Sequence, residues 1–381
     1  MIFNHITDRR FMIIGVFPKY ADNDSMLSEL EEIESLIKTY GSRVYALSVQ
    51  KANFPSLFGY LRKGKAQEVS EIINKEKIDI VVAKDILKHK QLNTLENQFK
   101  QINPDIQVWD KVYLILHIFD QFAQTHEANL QIKIAGLKHL GHKLMGMGSI
   151  LSRQGGGIGT RGIGETNTEI MKRHWRDEIR QTSHKIKELE KNRHIQIARR
   201  KKTGALTVSL VGYTNAGKTT LFNKLTGKNG KVENKLFTTL DSEFGRLYLP
   251  EIKADILISD TIGFIKNLPP SLISAFKSTL LQTNYSDLIL HLIDISDRTM
   301  ENKIEAVNVV LRDIKADKIN QLYVFNKIDQ AHNNDRQSLK LKYSNYSPVF
   351  ISSLTGEGIK NLLNMISVKI KSDLSDKQYP I

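Results

Sequence analysis

The sequence predicts an α/β protein in three parts: an N-terminal parallel α/β domain, a long antiparallel helical hairpin and a C-terminal domain with a phosphate-binding loop. Three observations carry this. Short β-branched runs alternate with amphipathic stretches over the first 110 residues. Apolar residues then recur at heptad spacing, and an apolar run at 206–211 leads into Gly212-Tyr213-Thr214-Asn215-Ala216-Gly217-Lys218-Thr219. The expected boundaries are 1–110, 111–204, 205–372 and a short tail at 373–381.

At 381 residues, 40% hydrophobic and 25% charged, the chain is long enough for two or three domains and too apolar for wholesale disorder. The absence of cysteine excludes a disulfide framework, a thiolate metal site and a cysteine nucleophile. The polar start, Met1–Arg10, is unlike a secretion signal. The longest apolar run, around Leu288–Ile295, is far short of the ~20 residues that span a bilayer. A soluble, cytoplasmic protein is expected. Lys and Arg exceed Asp and Glu by 14, and residues 136–202 hold sixteen basic and six acidic side chains, a net of +10. A charge run can be a solvated helix face; concentration of this degree also suits a polyanion such as nucleic acid.

In the N-terminal part, the runs Phe11–Phe17, Val44–Val49, Ile78–Ala83 and Ile106–Trp109 read as strands. The stretches Ser25–Tyr40, Gly64–Lys77 and Asp85–Ile102 read as helices, with Leu27, Leu30, Ile33 and Ile37 at helical spacing. No glycine fingerprint follows Val16, so no dinucleotide site is expected. The reading is a docking or structural domain.

From Lys111 to Lys202 the pattern is helical. Ala123, Leu130, Leu137 and Leu144 recur every seven residues, and Trp175, Ile179, Ile186 and Leu189 follow a comparable alternation. That spacing predicts two long helices packed antiparallel. The glycine-rich stretch 152–165, SRQGGGIGTRGIGE, separates them, and Thr166 with Glu169 stands at capping-box spacing. Such a stretch reads as a flexible linker, or as backbone that approaches phosphates while Arg153 and Arg161 pair with them. Composition leaves both open.

The loop 212–219 is specific because each position has a task. Gly212 and Gly217 let the backbone turn its N–H groups toward a polyphosphate, and the helix starting near Lys218 adds its positive dipole end. Lys218 is expected to reach β- and γ-phosphate oxygens, and the Thr219 hydroxyl to hold Mg²⁺. After the apolar run 254–259, Asp260-Thr261-Ile262-Gly263 supplies a carboxylate behind the metal and a Gly263 N–H for the γ-phosphate. Phe237-Thr238-Thr239-Leu240-Asp241 lies between. Thr239 is the candidate second metal ligand; Thr238 is its rival, and spacing does not choose between them. Lys218, Thr239 and Gly263 are the expected catalytic contributors.

Base choice is assigned to Asn326-Lys327-Ile328-Asp329, directly after the apolar run 322–325. The Asp329 carboxylate can accept hydrogen bonds from N1–H and the 2-amino group of guanine, donors that adenine lacks. Ser352-Ser353-Leu354 would close the base pocket through backbone contacts. The expected ligands are therefore GTP and GDP with Mg²⁺. Phe264 stands where some P-loop enzymes carry a water-positioning glutamine, which a phenyl ring cannot imitate; whether or not the ring merely packs beneath the switch, slow intrinsic hydrolysis that a partner accelerates is expected.

In order, these elements resemble the translation-factor-like GTPases. Residues 152–165, 237–241 and Asp260–Ile265, with Gly64-Lys65 and Ala123-Gln124-Thr125-His126-Glu127 on a helix, resemble the HflX family of ribosome-associated GTPases. The chain departs from that family's usual residues at Arg62, His117, Ile163 and Asn167-Thr168. The resemblance implies a GTP hydrolase of low intrinsic activity that binds the large ribosomal subunit and splits stalled or idle ribosomes. Arg153, Arg161 and Arg173 are then expected to contact rRNA, mainly at phosphates. The rival readings are a switch that binds a protein effector and a GTP-dependent assistant of RNA modification. Nothing in the hairpin requires a dimer, so a monomer is expected.

Overall fold

The computed structural model describes residues 9–151, 167–228, 243–261, 263–264, 272, 283–331 and 336–376. The chain divides into two compact units, Met1–Glu188 and Leu189–Ile381.

In the first unit, β1 (Arg10–Phe17), β2 (Arg43–Lys51), β3 (Ile80–Ala83) and β4 (Gln107–Asp110) form a parallel sheet in the order β2-β1-β3-β4. Ile13 of β1 sits between Leu47 of β2 and Val82 of β3. From Phe11 to Phe17 β1 is wholly buried, as a central strand covered on both faces must be. The crossovers are α1 (Asn23–Tyr40), α2 (Lys63–Glu76) and α3 (His89–Phe99). Asp22 starts α1 by accepting the Ser25 N–H at 3.1 Å, and Gly41, at φ 102°, ends it.

The third helix is shorter than the expected 85–102, because the residues before it are held by tertiary contacts. Asp85 accepts from the Tyr60 hydroxyl at 2.7 Å, and the Leu87 N–H reaches Asp110 at 3.3 Å. The expected helix through Ala123–Glu127 is also corrected. Helix α4 (Lys111–Phe122) ends at Ala123, whose backbone is extended, and α5 (His126–Leu151) begins afresh. Thr125 makes the break: its hydroxyl accepts the Ala128 N–H at 3.1 Å, a capping bond that competes with helix continuation. Ala123 therefore lies outside the heptad seam. His117, on α4, is buried with its ring stacked on Trp109 at 4.2 Å.

Helix α5 and the first part of α6 (Asn167–Lys202) run antiparallel. Trp175 Nε1 donates to the Leu137 carbonyl at 2.9 Å, and Lys133 pairs with Glu178 at 2.7 Å. Gly141 admits the indole: a Cβ there would lie 2.8 Å from Nε1. Leu130, Leu137 and Ile186 are buried. The Leu144 side chain, Thr166 and the stretch 152–165, with Arg153 and Arg161, lie outside the described residues.

In the second unit, β5 (Thr207–Gly212), β6 (Glu243–Leu249), β7 (Ala254–Asp260), β8 (Leu288–Asp294), β9 (Gln321–Asn326) and β10 (Val349–Phe350) form a six-stranded sheet. The order is β10-β9-β8-β5-β7-β6, parallel except for β6 against β7. Among the described residues its helices are α7 (Lys218–Thr226), α8 (Met300–Asp313), α9 (Arg336–Lys342) and α10 (Ile359–Asp376), besides the end of α6. Val208, Leu210, Leu221, Phe222, Leu290 and Leu362 are among the residues of its core. The C-terminal end of α6 packs here too, with Tyr285 bonded to His194 at 3.0 Å and Arg200 over the Phe244 ring. Because β5 lies between β7 and β8, chain connections leave it in opposite directions. That creates a crevice at the carboxyl ends of the strands, where open α/β sheets bind ligands. Among the described residues no helix is long and apolar enough to cross a membrane.

Candidate functional site

The carboxyl ends of β5, β7, β8, β9 and β10 bring the sequence-predicted motifs to one edge. The loop after β5 is shaped by two glycines. At Gly212 an added Cβ would collide with the Leu292 carbonyl oxygen of β8, and at Gly217, with φ 96°, it would collide with the Asn326 amide. Asn215 adopts φ 62° and is exposed. Helix α7 begins at Lys218, directly after the loop, so its first N–H groups point toward it.

Lys218 is buried, and its ammonium donates to the carbonyls of Gly212 and Tyr213 at 3.0 and 2.8 Å. Burial pushes its pKa down to about 8, against the opposing pull of the Asp260 carboxylate. Asp260 ends β7 in the core, and its Oδ2 accepts from the Thr219 hydroxyl at 2.8 Å. Next to it, the Thr261 hydroxyl donates to the Leu210 carbonyl at 2.6 Å. This hydroxyl–carboxylate pair offers hard oxygen donors of the kind Mg²⁺ takes. Among the described residues no group of three or more His, Asp or Glu could form an all-protein metal cage.

Gly263 presses against the loop: a Cβ there would lie 2.9 Å from Thr214 Cγ2 and 3.1 Å from Lys218 Nζ. The following residue joins the two segments as a bridge, with the Phe264 N–H donating to Gly212 at 3.1 Å and its carbonyl accepting from Thr214 at 2.7 Å. The Phe264 ring is only 1% exposed. Phe264 is thus a buried residue joined to the loop through its backbone. Ile262, Phe237, Thr238, Thr239, Leu240 and Asp241 lie outside the described residues.

Asn326 joins three segments. Its Nδ2 donates to the Ala216 carbonyl at 2.8 Å, and its Oδ1 accepts from the N–H and hydroxyl of Ser353 at 2.8 and 2.9 Å. Lys327, in the left-handed region at φ 65°, pairs with Asp294 at 2.7 Å. Ile328 is buried, and Asp329 stands exposed beyond it. Ser352 and Ser353 are buried, and Leu354 is exposed.

Two contributors escaped the sequence reading. Asp294 ends β8 and holds Lys327; its signal was a carboxylate closing an apolar run. His291 is the polar residue inside that run. It is buried, with its ring edge-on to Tyr323 at 4.8 Å, and burial aided by the Lys218 charge pushes its pKa down to about 3. A neutral imidazole thus lies near the cation of the phosphate loop.

Comparison with known proteins agrees in all three regions. Residues 207–327 match the family described as 50S ribosome-binding GTPase, 123–200 the GTP-binding GTPase middle region and 27–120 the GTP-binding GTPase N-terminal region. The chain is 38% identical over 357 residues to "GTPase HflX" of Caldanaerobacter subterraneus subsp. tengcongensis, covering 94% of this chain and 79% of that one. It is 37% identical over 360 residues to "GTPase HflX" of Escherichia coli, covering 93% and 82%. Its fold is similar to the crystal structure of the SsGBP and GDP complex, with a TM-score of 0.53, 24% identity and coverage of 95% and 99%. The three matched regions and 37–38% identity to two curated relatives over more than nine-tenths of this chain lead to one conclusion: this chain belongs to the HflX family of GTPases, and it binds and hydrolyses GTP.

Proposed function

We propose that this chain binds the large ribosomal subunit through rRNA and uses GTP binding and hydrolysis to split stalled or idle ribosomes. The carrying observation is the combination of a guanine-nucleotide site with α6, a 36-residue helix whose Arg173, Arg176, Lys185, Lys187 and Lys191 are exposed. The family description over 207–327, a 50S ribosome-binding GTPase, supports the choice of partner, and a ribosomal target implies the cytoplasm.

In this reading the backbone of 212–219 and Lys218 hold the phosphates, and Asp329 with Ser352, Ser353 and Leu354 holds guanine. Thr219 and Thr239 would hold Mg²⁺, with Asp260 behind Thr219. The ion supplies neutralisation of charge on the β- and γ-phosphates. Gly263 and Thr239 sense the γ-phosphate, so RNA grip depends on which nucleotide is bound. Contacts from Arg153, Arg161 and Arg173 are mainly to phosphates and fall steeply with salt. With Phe264 turned inward, no side chain at that position orients water. Intrinsic hydrolysis is slow, and large subunits accelerate it.

Light scattering of assembled 70S ribosomes tests the reading. A drop with GTP and with a non-hydrolysable analogue, but not with GDP, is expected. An unchanged signal with all three rejects it. GTP turnover that is equal with and without large subunits rejects the proposed stimulation.

A further inference from the structure

The N-terminal sheet has a carboxyl edge that the GTPase chemistry does not use. Phe54, Leu57 and Phe58 lie in the loop after β2 and are 81%, 69% and 58% exposed. Three large apolar side chains exposed within five residues of sequence mark a candidate interaction site. Nor is this loop loosely held. Ser56 and Tyr60 exchange both backbone hydrogen bonds, at 2.8 and 3.1 Å, and Gln91 donates to the Ser56 carbonyl at 2.7 Å. Tyr60 is buried at φ 62°, a conformation costly for a tyrosine, and its hydroxyl bridges the Val16 N–H and Asp85. The backbone is fixed while the aromatic rings face solvent.

Exposed cations outnumber carboxylates around this loop. Lys51 ends β2, Lys88 and Lys90 stand at the start of α3, and Arg62 and Lys63 start α2, all exposed. Lys90 lies over one face of the Phe58 ring at 4.1 Å. The nearby carboxylates are engaged: Asp85 pairs with Lys84 at 2.8 Å, and Glu68 with Lys65 at 2.7 Å.

We infer that this edge is a second RNA-binding surface, in which an unpaired nucleobase stacks on Phe54 or Phe58 while Lys51, Lys88 and Lys90 hold the flanking phosphates. Rings stack on every base, and cations pair with the backbone beside it. This is the chemistry by which proteins select single-stranded over duplex RNA. An acidic peptide would satisfy the lysines but would not need two rings on a fixed loop. The inference shares only its partner class with the function proposed above, and its test uses no ribosomes.

The full chain, loaded with GDP, is titrated into fluorescein-labelled rA₁₂, into a 12-base-pair RNA duplex and into polyphosphate. Wild type is expected to bind the single strand at least tenfold tighter than the duplex. The double variant Phe54→Ala/Phe58→Ala should lose about 10- to 100-fold on the single strand, from stacking worth roughly 1–3 kcal/mol per base, and little on polyphosphate. Phe54→Tyr/Phe58→Tyr should restore it. Lys88→Glu/Lys90→Glu should weaken all three and flatten the salt dependence. Ultraviolet crosslinks of rA₁₂ should fall on 54–58. GDP affinity and melting temperature are expected to stay unchanged, since the substituted side chains are exposed. Unaltered rA₁₂ binding by Phe54→Ala/Phe58→Ala, crosslinks confined to α6, or equal affinity for strand and duplex would each overturn the inference, the first in favour of a protein partner.

Discussion

The Asn326 side-chain amide donates to the Ala216 carbonyl at 2.8 Å, so the base-reading segment and the phosphate loop are fixed to each other across 110 residues of chain. The same side chain accepts from Ser353, which makes the loop after β10 part of the clasp. Replacing Asn326 with Ala leaves a buried carbonyl and a buried N–H without partners, each costing about 1–3 kcal/mol. GDP binding should weaken roughly 100-fold, measured by fluorescent-nucleotide displacement. A change under threefold would show that the three segments hold their places independently.

Asp329 is expected to set base choice through two accepted hydrogen bonds. Asp329→Asn turns an acceptor into a donor, which suits the 2-oxo group of xanthine and opposes the 2-amino group of guanine. Preference for GDP over XDP should invert, with a swing of roughly 10³ or more. Retained guanine preference in competition binding would move the discriminating contact elsewhere.

Lys218, with its pKa near 8, is about nine-tenths neutral at pH 9 in the nucleotide-free protein. A polyphosphate favours the ammonium form, so binding at pH 9 should take up about 0.9 proton and at pH 6.5 almost none. Affinity therefore falls as pH rises above about 8. Calorimetry of GDP binding in buffers of different ionisation enthalpy measures the uptake directly, and identical enthalpies at pH 9 would contradict the assignment. The unfolded lysine titrates near 10.4, so between these values the unfolded chain holds more protons, and the stability of the nucleotide-free fold rises with pH there.

Phe264 is a core side chain whose backbone pins two segments. Phe264→Gln places an amide in the space of a ring and should destabilise the protein by about 2–4 kcal/mol. It should not speed intrinsic hydrolysis, because the side chain at this position is buried rather than presented to solvent water. Faster turnover with an unchanged melting temperature would show that this position faces the γ-phosphate.

The motifs of the candidate site were legible because they are short and local. A strand, two glycines and Lys218-Thr219 suffice to predict a phosphate loop, since the backbone conformation and the dipole arise within eight residues. The alternation of strands and helices likewise gave the N-terminal sheet, because a central strand buried on both faces demands a continuous apolar run. The break at Thr125 was less legible. Heptad spacing passed over it because Ala123 is apolar, whereas the competing event is one hydroxyl bond to Ala128. The shortened start of α3 had the same origin in Tyr60, 25 residues earlier in the chain.

The amino-acid order alone carried the expectation of a guanine nucleotide, because the carboxylate that would read guanine and the loop that would hold phosphate are each written in consecutive residues. Tertiary structure alone decided which side chains support them. Asn326 reaches Ala216, Asp294 holds Lys327 and His291 lies near Lys218 only after β5, β8 and β9 align in register. It also decided that Phe54 and Phe58 face water while Tyr60, two residues further on, is buried in a left-handed backbone conformation, with its hydroxyl bonded to Asp85 and the Val16 N–H.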